Sequence, residues 1–164
     1  MIYLVLILSF LLDGIIFSLF SFTDPISPLF TMLSLLIIYP YSDTTKKVYY
    51  VCPLVLGILY DIAYGNSLFL NTLIFLGYSY LLVKIFKIFT INFINVLIIS
   101  NLSIVLYRTI ICLFMHIIGI MEFNIGVLMD SITHSIISNF VYITTFYVSV
   151  TFLSSKFKIK KRNQ

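Results

Sequence analysis

Charge is what this sequence has least of: charged side chains make up 10% of its 164 residues, against a hydrophobic fraction of 61%. So little charge cannot solvate the surface of a water-soluble domain, and so much apolar surface cannot be buried in one soluble core. The chain is read as an integral membrane protein. Alternation of apolar and polar positions is also missing. LVLILSFLL, MLSLLII and VLIIS are apolar at consecutive positions, which excludes the strands of a transmembrane β-barrel and leaves helices. Long polar stretches are scarce as well, the longest being residues 156–164. No room is expected for a domain folded outside the membrane.

Cysteine is nearly absent. Cys52 and Cys112 lie inside apolar runs and are read as buried small residues rather than a disulfide framework or a metal knuckle. Residues 1–20 have no basic residue ahead of their apolar stretch and no small-x-small site near Ser21, so an uncleaved first span is expected. No HExxH and no GxSxG occurs. His116, Asp130 and His134 could form an acid-base or zinc set, but without a motif that carries a mechanism the chain is not expected to be an enzyme, and no cofactor is expected.

What is present is a series of apolar runs at about 2–20, 28–41, 48–64, 68–83, 89–118 and 125–155. They predict an all-α fold of six transmembrane helices, one domain over 1–155 with a basic tail over 156–164. No internal repeat of 20 to 50 residues is visible. Ser27 followed by Pro28 is a helix-start pair for the second run. That run reaches only about 21 Å, short of the ~30 Å of hydrocarbon, so it must be shielded by neighbours, thin the bilayer or be broken. The last two runs, near 45 Å each, must tilt or project beyond the membrane.

The basic residues set the orientation. Lys46, Lys47, Lys84, Lys87, Lys156, Lys158, Lys160, Lys161 and Arg162 all fall on one side of a six-span arrangement, and Arg108 lies inside a span. By the positive-inside rule that side is the cytoplasm, with both termini on it. The tail is expected to lie on anionic lipid headgroups, and no nucleic-acid partner is expected.

Polar residues inside the spans are the candidate sites. Counting helical rise places Asp13, Asp61, Arg108, Asp130 and His134 in the outer half of the bundle, and Arg108 is expected to pair with Asp61 or Asp130. Asp130, His134, Ser138, Tyr142, Thr145 and Ser149 recur at spacings of four, four, four, three and four and predict a polar face on the last helix. Asn101, Arg108 and Cys112 share a side of the fifth by spacings of seven and four. Such stripes serve as interhelical hydrogen-bond contacts, a water-filled cavity or a docking face. Gly57 and Gly65 suit close helix packing better than phosphate binding.

The stretch Gly57-x-x-x-Asp61-x-x-x-Gly65, followed by Leu68, Asn71, Leu73 and Gly77-Tyr78-Ser79-Tyr80-Leu81, resembles the central signature of the MreD family of bacterial rod shape-determining membrane proteins. It departs at Phe69, where that family often carries glycine. The layout is similar too: about 160 residues, six spans, a proline-started second span and a basic tail. The resemblance implies a non-enzymatic scaffold of the bacterial cytoplasmic membrane. Its implied partners are MreC, a single-span protein, with MreB, RodA and a penicillin-binding transpeptidase in the same complex. Gly57, Asp61, Gly65, Asn71, Asn101, Arg108, Asp130 and His134 are the residues expected to bind partners or organise the bundle. The family's architecture is similar to that of the substrate-binding subunits of energy-coupling-factor vitamin transporters, which makes such a subunit the alternative.

Overall fold

The computed structural model describes residues 2–19, 29–42, 47–64, 69–119 and 122–156. Within them the chain forms α1 (Ile2–Leu19), α2 (Phe30–Ile38), α3 (Lys47–Tyr64), α4 (Leu70–Ile88), α5 (Phe93–Ile117) and α6 (Ile125–Lys156), with a 3-10 turn, Tyr39–Tyr41, continuing α2. No strand occurs among the described residues. Of the residues named from the sequence, Lys46, the Ser27-Pro28 pair, Gly65, Leu68 and the tail beyond Lys156 lie outside the described ones.

Successive helices pair as hairpins, α1 with α2, α3 with α4 and α5 with α6, and α2 also packs against α4, α5 and α6. Of the three alternatives for the short second helix, its surroundings provide shielding by neighbours. Every residue of α2 is buried. Its apolar side chains point in all directions because helices surround it, the situation in which a helix need not be amphipathic. Aromatic stacking holds both of its ends: Phe30 lies 4.4 Å from Tyr142 of α6, and Tyr39 lies 4.7 Å from Phe86 of α4, ring centre to ring centre. Outward faces of the other helices carry exposed aliphatic side chains such as Leu4, Ile62, Leu73, Ile94 and Val141, as a surface in contact with lipid does.

Three helices, α4, α5 and α6, are long and apolar enough to cross a membrane, while α1 and α3 carry shorter apolar stretches, Tyr3–Ile16 and Tyr49–Tyr64. α4 runs on past the expected end at 83 to Ile88. The reason is that Lys84 and Lys87 do not interrupt a helix: Lys84 lays its stem back so that Nζ sits 4.6 Å from the centre of the Tyr80 ring. α5 accordingly begins at Phe93 rather than 89, after a turn in which Asn95 Nδ2 donates to the Thr90 carbonyl at 2.8 Å. Cys52 and Cys112 are only half-buried, on helix flanks rather than in the core.

Phe69, just before α4, has φ 68°. This is the left-handed region that glycine enters without strain and a side chain with a Cβ enters at a cost.

Candidate functional site

The hairpin of α3 and α4 begins with a missing side chain. A Cβ on Gly57 would stand 2.5 Å from the Cα of Thr72, so only glycine lets the two backbones approach this closely. One helical turn on, the approach brings Asp61 against the start of α4. Asp61 Oδ1 accepts from the Asn71 amide at 3.0 Å and from Asn71 Nδ2 at 2.9 Å; Oδ2 accepts from the Thr72 amide at 3.0 Å and Thr72 Oγ1 at 2.7 Å. A helix start leaves backbone N–H groups without intrahelical acceptors and carries the positive end of the helix dipole, so a carboxylate there is stabilised twice. Asn71 then passes the connection on, its Oδ1 accepting from Tyr107 of α5 at 2.7 Å.

The same device recurs in the first hairpin. Asp13 of α1 accepts from the Phe30 amide at 3.0 Å, the Thr31 amide at 2.7 Å and Thr31 Oγ1 at 2.5 Å, all at the start of α2. Asp13 and Asp61 thus each place both oxygens on the first turn of the helix that follows, and each binds a threonine through amide and hydroxyl together. Among these carboxylate contacts the exposure is minimal: Asp13 is 1% accessible and Asp61 7%. α2 takes one further acceptor from α6, since the Leu29 amide donates to Asn139 Oδ1 at 3.2 Å. Ser9, one turn before Asp13, shares a 2.5 Å hydrogen bond with the Tyr142 hydroxyl. Tyr64 closes α3 on α1 by donating to the Phe10 carbonyl at 3.1 Å, over Gly14, where a Cβ would collide with the Tyr64 hydroxyl.

Arg108 lies one residue beyond Tyr107 and directs Nη2 to Ser135 Oγ of α6 at 2.6 Å. Of the two carboxylates expected to pair with it, Asp61 is committed to α4 and Asp130 stands beside His134, with 3.2 Å between Oδ1 and Nδ1. Asp61, Asn71, Tyr107 and, one residue on, Arg108 form one connected layer of the bundle. Asp130 and His134 do not join it; their side chains are 59% and 47% accessible. Asn101 is half-buried on α5 and makes none of these bonds.

The polar face expected on α6 is displaced around the helix. Of its members only Tyr142 is buried; the buried face runs through Ile132, Ser135, Asn139, Tyr142, Ile143, Val150 and Ser154. Thr145 and Ser149 face outward because each hydroxyl bonds the carbonyl four residues back, at 2.8 Å, and so needs no neighbour. Ser9, Thr31, Thr72, Tyr107, Ser135 and Asn139 were not singled out by the sequence. A signal for two of them was present: each threonine follows shortly after the break beyond an aspartate-bearing apolar run, Asp13 before Thr31 and Asp61 before Thr72.

The layer as a whole is a set of interhelical ties. No curated protein and no solved structure matches the chain. The family described as rod shape-determining protein MreD matches residues 1–157. A membrane-type helical bundle, tied together around the Gly57, Asp61 and Asn71 signature and matched over nearly its whole length, belongs to the MreD family of rod shape-determining proteins.

Proposed function

We propose that this chain is a non-enzymatic scaffold of the rod complex that spans the bacterial cytoplasmic membrane six times and binds an MreC-like single-span protein. In this reading MreB, RodA and a penicillin-binding transpeptidase share the complex, and both termini are cytoplasmic. The observation that carries it is the use made of the two buried carboxylates. A catalytic or transport carboxylate needs a free oxygen facing substrate or ion. Asp13 and Asp61 instead spend both oxygens on the first turns of α2 and α4. Their role is to fix helices, and a fixed frame is what a partner protein needs. The orientation is supported by Lys84, Lys87 and Lys156, which stand at the ends of α4 and α6 on one side of the bundle.

The test is an affinity pull-down through a C-terminal tag from mildly solubilised membranes, read by mass spectrometry for proteins and small molecules. Recovery of an MreC-like single-span protein is expected. Recovery of an ATP-driven module or a vitamin in its place would overturn the scaffold reading.

A further inference from the structure

The six helices do not end level. At the end where α6 finishes, Ser154 reaches the Tyr41 hydroxyl at 3.2 Å, so α6 and the 3-10 turn after α2 stop together. At the opposite end they separate. Asn139 of α6 meets the start of α2, and from there back to Ile125 the helix continues for about 21 Å. α1 continues only about 9 Å from Asp13 to Leu19, and α3 only about 5 Å from Asp61 to Tyr64. α5 and α6 therefore stand above the described ends of α1 and α3 by roughly 10 Å or more.

This arm is a built structure rather than a frayed end. Gly119, at φ 77°, caps α5 by donating to the His116 carbonyl at 3.0 Å. Asn124 caps α6, its Oδ1 accepting from the Gly126 amide at 2.8 Å. His116 and Phe123 meet across the tip, ring centres 6.2 Å apart. Yet the last buried residue of α5 is Tyr107 and the first of α6 is Ile132. Ile117, Ile125, Val127 and Met129 are exposed, at 79%, 66%, 48% and 58% accessibility, on the part of the arm beyond the described ends of α1 and α3.

The charge of the arm distinguishes what could cover it. Glu122 and Asp130 are exposed there, and residues 109–155 contain no lysine or arginine. Anionic headgroups are poorly matched to such a surface, whereas a protein segment bearing apolar side chains and lysine or arginine fits both its parts. We propose that the projecting α5–α6 arm is the docking surface for that kind of segment, the stretch of the single-span partner that leaves the bilayer beside the bundle. This rests on the scaffold reading above and adds the place and chemistry of contact.

The experiment uses the full chain, co-expressed with the MreC-like partner. A photocrosslinking residue replaces Val127 in one variant and Ile94, exposed at the other end of α5, in a second. A third variant carries Phe123→Ser with Asp130→Lys. Crosslinking to the partner from position 127 and not from 94 is expected, with about a tenfold fall in partner recovered by the third variant, or about 1.4 kcal/mol. Because no described residue from 108 to 131 is buried, that variant is expected to keep the thermal unfolding of the parent. Crosslinks from 127 to lipid or to a second copy only, or unchanged recovery by the third variant, would overturn the assignment of the arm while leaving the scaffold reading standing. Failure of the unaltered chain to recover the partner would overturn both.

Discussion

The α1–α2 and α3–α4 hairpins use one chemical device in two settings. In both, an aspartate near the end of the first helix accepts the amides and the threonine hydroxyl at the start of the second. In the first hairpin the capped helix is enclosed by four others and borrows Asn139 of α6 for the Leu29 amide. In the second the capped helix lies on the flank, with Phe69 and Leu73 exposed beside the cap at 60% and 67%. The lesson is that an identical anchor differs in worth with what would replace it. Water or headgroups could reach the freed donors of α4 past the exposed Phe69 and Leu73, whereas those of α2 are enclosed by packed helices.

That difference can be broken by removing each carboxylate in turn. Asp13→Leu is expected to have the largest effect, a loss of about 3 to 5 kcal/mol, because two amides and a hydroxyl would be left unmet in a dry interior. Its measure is the midpoint of a denaturant titration in detergent micelles, with Asp13→Asn retaining part of the stability. Asp61→Leu is expected to cost less, about 2 to 3 kcal/mol in the same titration, and equal losses for the two variants would remove the distinction drawn here. Gly57→Val sharpens the comparison from the packing side. Forcing a side chain against the Thr72 backbone should cost about 1 to 3 kcal/mol and weaken crosslinking between cysteines placed at Ile58 and Leu73, with no such change between α1 and α2. The smallest expected effect has the opposite sign: Phe69→Gly should raise the midpoint by about 0.5 to 1 kcal/mol, since glycine adopts φ 68° without strain.

The second hairpin was legible in the sequence because its parts are close together. Gly57, Asp61 and Asn71 lie within one apolar pair, and an aspartate inside such a run demands a partner nearby. Asp13 stood out as a carboxylate inside an apolar run, but its partner lies across a longer connection and offers backbone amides, which no residue type advertises. For the same reason the sequence did not show that Asp61, one of the two carboxylates considered for Arg108, spends its oxygens on α4: helix starts compete for carboxylates as effectively as cations do, and they do not appear in a count of charges. On α6 the periodic stripe gave weight to Asp130 and His134 because they are ionisable. The buried face instead uses Ser135 and Asn139, whose spacing is equally helical but whose chemistry is common in any membrane helix. The length of α5 and α6 was legible as projection or tilt; that the excess gathers at one end required the ties at Tyr41 and Asn139.

The frame of the bundle depends on the two aspartates acting as helix anchors, and a double-mutant cycle for each tests that most directly. Asp13→Leu and Thr31→Val, singly and together, would be compared with Asp61→Leu and Thr72→Val in the same titration. A coupling of about 1 to 3 kcal/mol within each pair is the predicted result, with the larger value in the first. Additive losses in both pairs would contradict the account, because the carboxylates would then contribute to the bundle without holding the helices they face.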